Sequence, residues 1–302
     1  MKLLPDTTSA PVVRRALAAA FPDITLKAPK LLSAGDEYVT WSAGSHVVKF
    51  PRSQEDAARL EREPVVHALV AGRLGALVPA MTALGAPTDE FPLPTGLYER
   101  ARGRPGQQAD GPMLSPKPWA RVGLAKAAAA ALSSLHGTPA AAARKAGVPK
   151  VALELDPGFE VSEGALDWAT RIAGDAVDTF LIDPLPAEAR TKAAVVLCHG
   201  DIKGEHLFVS EDGTRITAII DWADTRLCDP AADLAGLAIW LGPSFVREVL
   251  TSYSGPADEG TYHRAVFRAR AGLLSYLDAK LAGRVTVTVP LLDAQLRAAF
   301  SD

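Results

Sequence analysis

The chain has 302 residues, 48% of them hydrophobic, a formal net charge of -3 and two cysteines. That length allows a large buried core, as one large domain or two modest ones, and the near-neutral charge excludes the basic footprint of a nucleic-acid binder. The longest apolar run, LAGLAIWLG at 234–242, stops at Pro243 and is too short to cross a membrane. The opening MKLLPDTTSAPVV lacks the apolar core of a signal peptide, and Cys198 and Cys228 alone cannot complete a four-ligand zinc site. A reducing cytoplasm is the expected setting. No internal repeat is apparent.

In chain order, PVVRRALAAAF (11–21) reads as a short amphipathic helix. KAPKLLSAG, EYVTWSAG and SHVVKFPR follow at strand lengths, with turns at Gly35 and at Ser42-Ala43-Gly44. The charged stretch SQEDAARLEREPVVHALVAG predicts a helix, opened by Ser53 with Asp56 as a capping box. Leu77–Leu84 and Thr95–Ala101 are further strand candidates, and Pro79 confines the first to a sheet edge. After the Gly/Pro-rich ARGRPGQ the pattern turns helical: LAKAAAAALSSLH at 124–136, then an acidic segment to about 190. A sheet-rich first third and a helix-rich remainder predict two lobes with a ligand-holding cleft between them.

VLCHGDIKGEHLFV (196–209) concentrates polar residues between two apolar runs, Val195-Val196-Leu197 and Leu207-Phe208-Val209. Those runs read as short buried strands, so the polar residues occupy a loop held at both ends, where catalytic groups tend to sit. His206 comes five residues after Asp201, and Asp221 twenty after it, at the end of the apolar ITAIID. Upstream, Lys49 lies in the strand pattern HVVKFP and Glu63 in the helix that follows. A strand lysine, a helix glutamate, H-x-D with a polar residue five on, and then an aspartate is the layout of protein-kinase-like phosphoryl transfer.

HGDIKGEH resembles the kinase catalytic loop, and HGD with its glycine is similar to the aminoglycoside phosphotransferase family. VVKFP, the E-R-E helix, LYERARG, LSSLHG, HGD and IIDWAD carry that resemblance over nearly the whole chain, in order. It implies an α+β, two-lobed protein-kinase-like fold. A small N-terminal nucleotide-binding lobe with an antiparallel sheet would span 1–101. A larger, mainly helical lobe with the catalytic loop and acceptor site would span 102–302. The implied activity is transfer of the γ-phosphate of ATP or GTP to a hydroxyl of an antibiotic, giving resistance. Asp201 would orient that hydroxyl and accept its proton. Asp221 and His206 would be ligands for Mg²⁺, with Mn²⁺ favoured by an imidazole where the family more often has Asn. Lys49 would hold the α/β-phosphates, Glu63 would hold Lys49, and Ser33 would lie in the phosphate loop. Tyr98 would lie beside the base, with the Glu99 carbonyl and the Ala101 N–H as backbone contacts. Lys203 resembles the lysine that serine/threonine kinases set against the γ-phosphate.

Plainer readings compete. His199 is expected to pack and hydrogen-bond the loop, His136 to end a helix, and Cys198 to be inert core. Asp229 and Asp233 read as an N-cap and a first-turn residue. His199, Asp201 and His206 could instead hold a hydrolytic zinc or manganese, or the chain could bind nucleotide without turnover.

For the acceptor, residues 151–190 hold nine acids against two bases, a field suited to a polycation or else merely a solvated surface. Against this, the apolar helix around Trp240 would suit a macrolide. Asp224 and Trp240 are the candidate acceptor contacts. Aminoglycoside ranks first, macrolide next and a metabolic sugar or amino-alcohol third. No nucleic-acid or membrane partner is expected, and the chain should act as a monomer or dimer.

Overall fold

A computed structural model describes residues 9–108, 116–152, 160–190 and 193–301. The first third forms β1 (Lys30–Ala34), β2 (Tyr38–Ala43), β3 (His46–Pro51), β4 (Met81–Gly85) and β5 (Thr95–Glu99), one antiparallel sheet ordered β1-β2-β3-β5-β4. β4 is an edge strand that begins at Met81 and not at the expected Leu77, which instead closes a 3-10 turn (Gly75–Leu77), so Pro79 lies before the strand. Helix α1 (Ala10–Ala20) lays Val13, Leu17 and Phe21 on the sheet beside Val39, Val48 and Phe50. Helix α2 (Gln54–Leu74) starts where the capping box predicts, with Ser53 Oγ accepting from the Asp56 N–H at 3.1 Å. Its inner face joins both halves of the molecule: Ala57 packs with the sheet, and Val66, Val70 and Leu74 pack with the helical core.

The helical lobe contains α3 (Pro118–His136), α4 (Ala140–Lys145), α5 (Glu163–Ala173), α6 (Asp175–Ile182), α7 (Ala231–Leu241), α8 (Pro243–Leu250), α9 (Thr261–Leu281) and α10 (Val289–Ala299). Helix α3 starts six residues before the predicted 124, with Pro118 in its first turn. Trp119 and Val122 there face solvent, which hides the amphipathic pattern.

Five short strands accompany the helices: β6 (Arg104–Pro105), β7 (Val196–Cys198), β8 (Leu207–Val209), β9 (Ile216–Ile219) and β10 (Arg226–Cys228). β7 pairs with β10, whereas β8 lies between β6 and β9. The catalytic-loop segment 199–206 is therefore pinned at each end by a different small sheet. No helix among the described residues is long and apolar enough to cross a membrane.

The structure corrects one acceptor assignment here. Helix α7 is buried from Ala231 to Leu241 apart from half-buried Ile239, and Trp240 is 0% exposed with its Nε1 donating to the Gly106 carbonyl at 3.1 Å. A helix apolar all round is a core helix. Trp240 forms no wall for an acceptor.

Candidate active site

The loop carrying Asp201 is built from the core outward. Asp233, in the first turn of α7, accepts from the His199 N–H at 2.9 Å and the Gly200 N–H at 2.8 Å. Its carboxylate also takes His136 Nε2 at 3.0 Å, and His136 Nδ1 meets the Tyr253 hydroxyl at 2.6 Å. Gly200 sits at φ +91°, and a Cβ there would come within 2.3 Å of the Asp224 carbonyl oxygen, so only glycine fits. Arg226 closes the turn by donating to the Gly200 carbonyl at 2.6 Å.

His199 is wholly structural. Its Nδ1 accepts from the Asp201 N–H at 3.2 Å, so Nε2 carries the proton and donates to the Ile220 carbonyl at 2.9 Å. Burial pushes its pKa down and keeps the ring neutral. With both nitrogens used and the residue 0% exposed, His199 has no lone pair to offer, and the hydrolytic zinc triad is overturned.

Asp201 ends up with its side chain 36% exposed at the cleft, 3.0 Å from Lys203 Nζ. Burial works against its charge, but His206 and Lys203 outweigh burial and hold the carboxyl below its ordinary value. His206 Nδ1 donates to the Asp201 carbonyl at 2.8 Å, and its Nε2, which carries the lone pair when the ring is neutral, lies 3.8 Å from Asp221 Oδ2.

Asp221 follows β9 at φ 68°, the one non-glycine residue with positive φ among those described. Such backbone strain persists where the surroundings over-determine it and clusters at functional sites. Its Oδ1 accepts from Lys49 Nζ at 2.7 Å. Burial disfavours the charge of both groups. The pair reverses that: Asp221 is held well below the carboxylate range by Lys49 and His206, and Lys49 is pushed up to about 12 by Asp221 and Glu63.

Glu63, on α2, is 3.9 Å from Lys49 Nζ. Tyr98, expected beside the base, is only 7% exposed and donates its hydroxyl to Glu63 Oε2 at 2.6 Å. Along the connector the Arg100 N–H bonds the Ser45 carbonyl, while the Ala101 N–H makes no hydrogen bond among the described residues. Glu99 closes β5 opposite His46, and Ser33 lies on β1 opposite Thr40. The turn after Ser33 is held by Arg52 donating to the Gly35 carbonyl at 2.6 Å.

The structure thus draws Lys49, Glu63, Asp201, His206 and Asp221 into one cleft. It does not join Asp224 to Trp240: Asp224 faces α2, with Oδ1 3.9 Å from Arg59, at a cavity of about 180 Å³ that also touches Arg62 and Glu63. Sequence reasoning missed Tyr38, whose ring centroid is 5.1 Å from Lys49 Nζ. The signal existed, because Thr40 opposes Lys49 and period-two alternation puts Tyr38 on the same face. For Arg226 no local signal exists.

A sequence model of the phosphotransferase enzyme family matches residues 37–267. Viomycin phosphotransferase of Streptomyces vinaceus is 31% identical over 231 residues, covering 73% of this chain and 76% of that protein. An aminoglycoside 2″-phosphotransferase solved with GDP and kanamycin superposes at a TM-score of 0.71 with 22% identity, over 95% of this chain and 96% of that one. Macrolide 2′-phosphotransferase type I gives a TM-score of 0.65 with 21% identity, over 97% of both chains. The structural likenesses establish the fold, and the sequence match carries relatedness through both lobes. The chain belongs to the phosphotransferase enzyme family and is a kinase-type phosphotransferase.

Proposed function

We propose that the chain moves the γ-phosphate of ATP or GTP onto a hydroxyl of a cationic antibiotic in the cytoplasm. Residues 1–101 would form the nucleotide-binding lobe, and 102–302 the lobe bearing the catalytic loop and acceptor site. The observation that carries this reading is Asp201: ionised, partly exposed, and fixed through a loop that also delivers Lys203 and His206 to the cleft. An ionised carboxylate there suits the orientation of a hydroxyl and acceptance of its proton as the new bond to phosphorus forms. Lys49 would exchange its contact with Asp221 for the α/β-phosphates. The Glu99 carbonyl and Ala101 N–H would meet the base edge, and the turn after Ser33 would cover the phosphates.

The donor set fits a divalent cation. Asp221 Oδ2 and His206 Nε2 lie 3.8 Å apart, and a neutral imidazole there offers a lone pair. A Mg²⁺ or Mn²⁺ held there would neutralise the phosphate oxygens, and the imidazole favours Mn²⁺. His206→Asn is expected to keep activity with Mg²⁺, since it supplies a carbonyl oxygen. His206→Ala should weaken apparent metal affinity by roughly 10–100-fold, the usual effect of disturbing a metal site, and its deficit should shrink at saturating metal. A metal titration of activity checks this. Wild-type behaviour of His206→Ala at limiting metal would remove His206 from the ligand set.

The acceptor reading follows charge. Burial, and then the acids Asp36, Glu205 and Asp201, raise the pKa of the Tyr276 hydroxyl on α9 while Lys203 lowers it, so several acids gather beside Asp201 around one lysine. Glu160, Glu163 and Asp167, at and just before α5, are exposed, and Ser162 ties that helix to α9 through Asp278. Glu154 and Asp156 of the same acidic segment lie outside the described residues. With Trp240 buried, the argument for a greasy macrolide loses its support. An aminoglycoside, or viomycin as used by the relative of that name, is the better acceptor class.

If the acids capture a polycation, acceptor kcat/KM should fall steeply as salt rises, because such fields are screened over about 8–10 Å near physiological ionic strength. Neutralising Glu160, Glu163 and Asp167 together should reproduce the loss and flatten the salt dependence. A panel of aminoglycosides, viomycin and a macrolide, assayed with both nucleotides across ionic strength, tests this. An acceptor kcat/KM indifferent to salt and to neutralisation would make the acids a solvated surface.

A further inference from the structure

We propose that Tyr98 is a positioning residue that acts through Glu63, bracing the carboxylate so that Lys49 is free to turn to phosphate, and that it does not filter the nucleobase. This rests on the reading of Lys49 as a phosphate-binding group.

Lys49 is not held by Glu63 in this structure. Its Nζ is 2.7 Å from Asp221 and 3.9 Å from Glu63 Oε1, an oxygen with no hydrogen-bond partner among the described residues. The short bond to Glu63 comes from Tyr98, at 2.6 Å to Oε2, with His67 Nε2 3.5 Å from the same oxygen. Glu63 is 1% exposed, so water cannot stabilise it. A buried carboxylate left with one departing lysine is costly, and a charge-assisted bond from a neutral donor offsets that cost whether or not Lys49 stays. Burial and the Glu63 charge together push the Tyr98 hydroxyl pKa well up, so it remains a donor.

The backbone makes room for this direction. Gly96 opposes Lys49 on β3, and a Cβ on Gly96 would lie 2.8 Å from the Tyr98 hydroxyl and ring edge. Any larger residue would push the ring off Glu63. The Lys49 ammonium in turn lies between two ring faces, 5.1 Å from the Tyr38 centroid and 5.5 Å from that of Tyr98. Cation–π attraction there favours the ammonium in either of its two contacts without fixing it to one. Tyr98 thus faces the lysine and glutamate, with its hydroxyl tethered to Glu63.

Tyr98→Phe removes the hydroxyl and keeps the ring. Glu63 then keeps only Lys49 Nζ at 3.9 Å and His67 Nε2 at 3.5 Å, and a phosphate-bearing ligand that draws Lys49 further away leaves the buried carboxylate less compensated. Calorimetry with Mg²⁺ should show ATP and GTP both weakened by the same factor, on the order of tenfold for a lost bond to a charged group. Adenosine and guanosine, which make no demand on Lys49, should bind as to wild type. In a Glu63→Gln background, where no buried charge needs bracing, adding Tyr98→Phe should change nucleotide affinity by less than about twofold. A changed ATP-to-GTP ratio, a changed nucleoside affinity, an unchanged ATP affinity, or a full Tyr98→Phe effect persisting in Glu63→Gln would each overturn the proposal. Because the readout is binding, it decides the matter even if no acceptor were ever phosphorylated, which would count against the functional reading alone.

Discussion

Asp201→Asn is expected to fold like wild type, bind nucleotide with unchanged affinity, and lose phosphoryl transfer by roughly 10²–10⁴-fold, the usual contribution of a positioned acid–base group. The loop is anchored to the core through main-chain amides on Asp233, whereas the Asp201 carboxylate meets Lys203 and His206 of the loop itself. What that carboxylate contributes is charge: it faces Lys203 at 3.0 Å and is held ionised. An amide of the same shape keeps the packing and cannot accept the hydroxyl proton. Single-turnover transfer, with nucleotide affinity and melting temperature as controls, separates chemistry from folding. Near-normal turnover in a well-folded Asp201→Asn protein would remove Asp201 from the role of base.

Asp233→Ala should damage both stability and catalysis. The carboxylate is 0% exposed and satisfies the His199 and Gly200 amides and His136 at once. Deleting it strands buried donors, a loss of about 3–5 kcal/mol by analogy with broken buried pairs, or roughly 5–15 °C in melting temperature. Burial disfavours its charge, but His136, the nearby His199 and the Gly200 amide outweigh burial, so the folded pKa lies below the ordinary 3.8. A depressed carboxyl contributes stability that is complete above the unfolded value and lost as pH falls through the folded one. The deficit of Asp233→Ala should therefore be flat between about pH 5 and 8 and shrink only in strong acid. A deficit that instead grew toward acid would mean that Asp233 is not ionised in the folded chain.

Much of this architecture is legible in short-range pattern. Period-two alternation marks the strands carrying Tyr38, Lys49 and Tyr98, and the Ser53–Asp56 box marks where α2 begins. Fixed spacing marks Asp201, His206 and Asp221, because each is set by a loop or strand end whose length cannot drift. What pattern does not reveal is direction. Helix α7 is apolar all round, and reading it as a wall for Trp240 treats an interior element as a surface one. Tyr98 shares a face with Lys49 by alternation, yet which group its hydroxyl reaches depends on α2, 35 residues earlier. Arg226 and Tyr253 brace the catalytic loop through contacts spanning 26 and 117 residues, and no local signature announces them.

The most direct test of the account is transfer of labelled γ-phosphate by the purified chain, with Mg²⁺ or Mn²⁺, to viomycin, kanamycin and an uncharged control acceptor. The account predicts that label appears on a hydroxyl of a cationic antibiotic with the wild type and not with Asp201→Asn. Label released only as free phosphate, at equal rates in both proteins, would contradict it.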